Sequence, residues 1–232
     1  MIVTDAITQV YLLATGKVVP PTSGTNKYNK ILALLNTFTQ NWASESGVDW
    51  RSLRTIFTFP ATVSATDTYA LPTGLGKVSK TEGDFVRITH TDGVTESDYT
   101  IVPIERLYNN GSKVNSVGGD YCAISGSNLI FAAPFTSDSA QYGGTITIPG
   151  QSIPPTLTDG TDTIVVDDPY WLCFMAAAEY VRTDLTRQAQ YPNLVAQANN
   201  AMAGMKEDNN SQEESAITNW SPGNGYGGSN WE

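Results

Sequence analysis

This chain is poor in the residues that do chemistry. Its 232 residues hold one histidine, two cysteines and 13 lysines and arginines. Cys122 and Cys173 are too few for a disulfide scaffold or a four-cysteine zinc site. A single histidine, His90, removes every two-histidine metal site and leaves one candidate base for a Ser-His-Asp triad. Positive charge is scarce: 23 Asp+Glu outnumber the 13 Lys+Arg, giving a net charge of −10. That balance argues against a protein that grips nucleic acid by neutralising phosphates. Charged residues of both signs make up 16%, against ~25% in an average soluble chain, so uncharged polar residues must cover much of the surface. Long apolar runs are missing too. The longest, Tyr170 to Ala178, stops at Glu179, well short of the ~20 residues a membrane span needs. The opening MIVTDAITQV lacks the basic stretch of a signal peptide. The expectation is a chain made and kept in a cytoplasm, or in something assembled there.

What is present points to a folded protein. An apolar fraction of 40% with 10% aromatics fits a buried core, and the length suits one large domain or two small ones. Val3, Ile7, Val10 and Ala14 recur at helical spacing until Gly16 and Pro20-Pro21. A stronger helix runs through Tyr28, Ile31, Leu35, Phe38 and Trp42, with Thr25 as its N-cap and Gly47 at its end. From Ile56 to Val166 the period becomes two: Phe57/Phe59, Tyr69/Leu71, Val86/Ile88, Tyr99/Ile101, Leu129/Phe131, Ile146/Ile148 and Ile164/Val166. Turn signals at Asp92-Gly93, Ser125-Gly126 and Asp159-Gly160 separate these strands, and Pro103 to Leu107 suits one helical turn. At Asp168-Pro169 the helical period returns through Trp171, Phe174, Ala178, Val181 and Leu185, and again through Leu194, Ala198, Ala201 and Met205.

The expected fold is therefore α+β. Residues 1–55 and 168–206 make a discontinuous four-helix bundle, with an antiparallel β-sandwich-like module at 56–167 inserted between the second and third helices. Residues 207–232, EDNNSQEESAITNWSPGNGYGGSNWE, lose periodicity and read as an extended C-terminal tail. Disordered linkers normally lack aromatics, yet this one holds Ile217, Trp220, Tyr226 and Trp231, which suit anchors for a partner's groove.

Each apparent motif has a bland reading that outweighs the chemical one. His90 flanks a hairpin turn, and no G-x-S-x-G elbow accompanies it. The GNGYGG run follows no strand and opens no helix, so it lacks the context of a dinucleotide loop. Asp159, Asp162, Asp167 and Asp168 read as turn and cap acids rather than a glycosidase pair, and no calcium-loop pattern is present. The two cysteines read as small apolar fillers. No catalytic residue, metal site or cofactor is expected.

Four segments in order resemble a known family. KILALLNTFTQNWASESG (Lys30 to Gly47) is similar to the helix-Asn-Trp-acid-Gly pattern of the head-to-tail adaptor proteins of tailed bacteriophages, also called head-completion or connector proteins. TFPATVSATDTYALP (Thr58 to Pro72) resembles their first hairpin. YCAISGSNLIFAAP (Tyr121 to Pro134) resembles a later strand segment. PPTLTDGTDTIVVDDPYWLCFMAAAEYVR (Pro154 to Arg182) resembles their acidic strand feeding an alanine-rich helix. The resemblance implies a structural virion protein at the neck or collar. Twelve copies would form a ring between the portal and the tail or nozzle proteins, close to channel DNA without binding it specifically and away from any membrane. It implies that Ile217, Trp220, Tyr226 and Trp231 dock on the portal. Two other readings stay open at this point: a virion-associated glycan or peptidoglycan hydrolase, and a glycan-binding β module.

Overall fold

A computed structural model describes residues 1–79, 85–109, 112–113 and 120–218, with side chains at all of these except 109, 112–113 and 211–218. The chain divides into two compact units. One comprises Met1–Leu35 with the chain from Asp159 onward, and the other is Asn36–Thr158.

In the first unit, α1 (Val3–Thr15) buries Val3, Ala6, Ile7, Val10, Tyr11 and Ala14 on one face. No side chain caps its N-terminus. The Val3 and Thr4 amides instead donate to the Asp162 and Gly160 carbonyls at 3.0 and 2.9 Å, which satisfies donors the helix cannot pair internally. Gly16 ends the helix at φ 68°, donating to the Leu12 carbonyl. Further on, α4 (Pro169–Arg182) begins as its sequence suggests, with the Asp168 carboxylate accepting from the Tyr170 amide at 2.9 Å and Pro169 in the first turn. Trp171, Leu172, Cys173, Ala176, Ala177, Ala178 and Val181 are all buried. A helix this apolar needs partners on more than one side. It has them, packing against both α1 and α5 (Tyr191–Thr218).

Three expectations change in this unit. Leu185 lies beyond α4 and is 90% exposed, because the helix stops at Arg182. Ile164 and Val166 are buried but form no strand; one isolated bridge, Ile2 to Thr163, is all the pairing there. The helix expected to end near Met205 runs on to Thr218, since Glu, Gln, Ser and Ala offer no breaker before Pro222. The mixed α+β class stands. As for the bundle, close packing joins α1 to α4 and α4 to α5, while α2 (Asn26–Ala43) meets α4 through Lys30. Its ammonium sits 4.7 Å from the Tyr180 ring centre and 3.0 Å from the Thr183 hydroxyl.

The second unit is one curled sheet rather than a sandwich. Its strands are β1 (Arg54–Thr58), β2 (Thr68–Ala70), β3 (Leu75–Val78), β4 (Phe85–Thr89), β5 (Glu96–Ile101), β8 (Tyr121–Ser125), β9 (Asn128–Phe131) and β10 (Thr145–Ser152), while β6 (Tyr108–Asn109) and β7 (Ser112–Lys113) form a separate hairpin. The order is β1-β10-β4-β5-β8-β9-β2, with β3 also on β10. It is not wholly antiparallel: Thr100 and Ile101 of β5 pair in parallel with Tyr121 and Cys122 of β8. The link between them carries α3 (Ile104–Leu107), and a crossover of this kind returns the chain in the same direction. Curling lets one sheet enclose its own core, which includes Phe59, Ile88, Leu129, Phe131, Ile146 and Ile148. Tyr69, Tyr99 and Phe135 all stand edge-on to Phe131 at 5.0–5.7 Å. On the other face of β8 and β9, Leu107 of α3 covers Val102 and Ala123.

The long strand β10 organises this sheet. One edge pairs with β1 along five residues; the other pairs with β4 through Thr147 and with β3 from Gly150. Pro149, which has no amide to donate, falls where one partner ends and the next begins. Gly150 is required by proximity, since a Cβ there would lie 2.4 Å from the Leu75 side chain and 2.8 Å from the Lys77 carbonyl.

Candidate functional site

Three kinds of place could do something: a buried polar cluster, the residues with chemical potential, and the uncovered surface. The cluster lies where α2 gives way to the sheet. Trp42, near the end of α2, stacks on Trp50 with ring centres 4.9 Å apart, and the Trp50 indole donates to the Trp42 carbonyl at 2.6 Å. Between them the chain turns through Asp49, a carboxylate only 8% exposed. Its two oxygens accept from the Gln151 amide at 2.8 Å and the Ser79 hydroxyl at 3.0 Å. Arg54 donates to the Asp49 carbonyl at 2.8 Å. The Lys77 ammonium donates to the Glu45 and Val48 carbonyls just after the helix, where a cation complements both loose carbonyls and dipole. Ser79 and Gln151 are closed off from solvent, so the cluster ties helix, turn, β3 and β10 together rather than receiving a ligand.

Among the described residues, His90 and the candidate acids sit at turns and caps. His90 follows β4, with Nε2 2.8 Å from the Ser97 hydroxyl. Among the described residues no carboxylate hydrogen-bonds to its other ring nitrogen, so the orienting member of a triad is missing there. The neighbouring Asp92 carboxylate accepts from the Thr95 hydroxyl at 2.5 Å and from the Val94 and Thr95 amides at 2.9 Å. Those bonds, the Thr95 hydroxyl first, lower its pKa to about 2. Asp159 accepts from the Thr161 amide and hydroxyl, Asp162 from the Asp159 amide, and Asp168 caps α4. Among the described residues no three His, Cys, Asp or Glu side chains come together to hold a metal ion. Cys122 and Cys173 are free and buried, and burial pushes both thiols up to about 12. On the outside of β4 and β5, Arg87 and Asp98 face each other across the strands as a bidentate pair at 2.8 and 3.0 Å, with Glu96 at 3.0 Å. The pair lowers the Asp98 pKa and raises that of Arg87.

The surface is less fully committed. In the first unit, the loop after α1 exposes Val18 at 75% and Val19 at 79%. A shallow cleft of about 420 Å3 opens beside it, lined by Tyr11, Pro20, Pro21 and Lys27 among others. In the second unit, β1 is an outermost strand, and its Ile56 is 66% exposed. Periodicity alone passes over these residues, because Val18 and Val19 fall in a break between helices and Ile56 reads as the start of a strand. The available signal was the apolar β-branched pair held between Gly16 and Pro20. Of the four expected docking residues, Ile217 lies in the last turn of α5 with its side chain outside the described set, and Trp220, Tyr226 and Trp231 lie outside the described residues.

Among the described residues, His90 and the turn and cap acids are engaged in local hydrogen bonds, while Val18, Val19 and Ile56 lie exposed. A family model described as SU10 adaptor protein matches residues 21–223. The chain belongs to this family of phage head-to-tail adaptors. It is a structural protein of the virion neck, a position that implies contact with portal and tail proteins. No curated protein matches it. Among the described residues no helix is long and apolar enough to cross a membrane.

Proposed function

We propose that twelve copies of this chain form a ring between portal and tail, lengthening the DNA channel and helping to hold and then deliver the packaged genome. Membership of the adaptor family carries this reading. Head-to-tail contacts repeated about an axis close into a ring, so each copy needs only modest contacts with two neighbours. The acid excess, 23 against 13, suits a wall past which DNA must slide. Like charge repels phosphate, and the fields of many copies add within the ~8–10 Å reach that salt allows. DNA is then a neighbour of the ring and not its ligand.

In this reading residues 1–55 and 168–206 are one helical domain, its four long helices a bundle, and 56–167 is the inserted β module. The subunits are made and assembled in the host cytoplasm. Residues 207–232 dock on the portal through Ile217, Trp220, Tyr226 and Trp231. A few aromatic contacts, each modest, add up when they are multiplied over many copies. Electron microscopy of the protein mixed with the portal ring of the same virus tests the assembly, and a ring on the narrow end of the portal is the expected image. A deletion of 219–232 tests the docking. It spares α5, where Asn209 is buried, and should keep the wild-type melting temperature while losing co-sedimentation with portal rings. Co-sedimentation that survives the deletion would defeat the docking role.

A further inference from the structure

The two outer strands of the sheet are finished differently. On β2 the chain closes its own edge: the Thr66 hydroxyl accepts from the Thr68 amide at 3.3 Å and donates to the Thr68 carbonyl at 3.4 Å. Among the described residues nothing comparable occurs at Ile56 or Thr58 of β1. The Phe59 amide donates to Ile146 of β10 at 2.9 Å, and the ladder alternates, so Phe57 and Thr55 also turn toward β10. Ile56 and Thr58 therefore point their amides and carbonyls away from the sheet. Pro149 opposite Ile56 fits this alternation. Among the described residues, Ile56 and Thr58 have no hydrogen-bond partner on that outer side. Natural edges are usually guarded by lysine, proline, a bulge or a covering segment. Among the described residues Thr55 to Thr58 carry none of these, and Ile56 adds an exposed apolar side chain.

A matching segment exists on the same chain. Lys17, Val18 and Val19 lie exposed between α1 and α2, and no backbone bond engages the Val18 or Val19 amide among the described residues. Pro20 biases Val19 toward extended backbone, and β-branched side chains favour a strand. We propose that Lys17–Val19 of one copy adds as a short strand to the β1 edge of the next copy, pairing with the amides and carbonyls of Ile56 and Thr58 and covering Ile56 with a valine. The proposal rests on the ring reading and names the seam between its subunits. The two patches differ, so the contact is head-to-tail, the kind that closes rings. So short a seam is well below the ~1,200–2,000 Å2 that a stable free pair buries. It therefore favours a closed ring, where every copy is held twice, over an isolated dimer.

Disulfide trapping tests this directly, because Cys122 and Cys173 are fully buried and leave the background silent. Full-length Val19→Cys and Ile56→Cys proteins are mixed, assembled on the portal ring and mildly oxidised. The expected product is the mixed disulfide between positions 19 and 56, at least ten-fold above either homodimer. Rings that form without it overturn the seam while leaving the ring reading intact; a dominant product linking position 56 to position 56 overturns it in favour of two-fold pairing. Absence of rings defeats the ring reading itself. A second variant, Thr58→Pro, removes an outward amide and no bond to β10. It should weaken ring formation at least ten-fold at an unchanged melting temperature, and undiminished assembly would overturn the proposal.

Discussion

The buried Asp49 carboxylate holds two buried side chains in place. Replacing it with Ala leaves the buried Ser79 hydroxyl without its acceptor and the Gln151 amide with only the Val48 carbonyl at 3.5 Å. The expected loss is on the order of 3 kcal/mol in urea unfolding, with Asp49→Asn recovering much of it because one acceptor oxygen remains. Asp92 acts in the open, and its effect follows pH. Its folded pKa of about 2 lies below the ~3.9 of an unfolded aspartate, so its contribution is fully present above about pH 4 and is lost as pH falls through 2. Asp98, also lowered, adds a loss of the same sign. The melting temperature should therefore drop on acidification below pH 4, and Asp92→Ala should flatten part of that drop. A slope unchanged by the substitution would show that other carboxylates dominate. Removing either residue of the Trp42–Trp50 stack should cost about 3–5 kcal/mol, the range for emptying a large buried aromatic site.

At the level of elements, β10 is the most exacting strand. Gly150→Ala must push against the Leu75 side chain and the Lys77 backbone, and overpacking of this kind costs about 1–3 kcal/mol. Denaturant midpoints would reveal it, and a silent substitution would mean that β3 can slide aside. How far such elements were legible depends on where their determinants lie. The helices were readable because caps and apolar spacing are local: Asp168-Pro169 starts α4 and Gly16 ends α1, as their residue types suggest. The strand segments were readable as strands, apart from Ile164 and Val166. Their arrangement was not, because the partner of β1 is some 90 residues away by chain number and period two says nothing about which strand lies beside which. The parallel pairing of β5 with β8 and the closure of a single sheet follow from that hidden order. Leu185 misled because a helical stripe does not mark where the helix stops. The buried cluster was invisible for the same reason as the sheet order: Asp49, Ser79 and Gln151 meet only after β10 is in place.

For the whole molecule, the two cysteines fall one in each unit, Cys173 on α4 and Cys122 on β8. Both should resist a soluble thiol reagent in the native protein and react as their own unit opens, so labelling followed by peptide mapping reports each unit's unfolding separately. Rapid native labelling of either would contradict the burial described. The placement of β10 reaches beyond stability. It is the last strand of its sheet to be translated, yet β1, β3 and β4 all pair with it. In the first unit α1 likewise packs on α4, which begins only at Pro169. A growing chain therefore leaves the ribosome with its early strands and first helix unmatched until well over half of it has been made. During that interval their apolar faces are open to misassociation, and the long loops between partners slow their closure. The dangerous stage in the life of this protein is thus its synthesis, when an infected cell is producing many copies side by side.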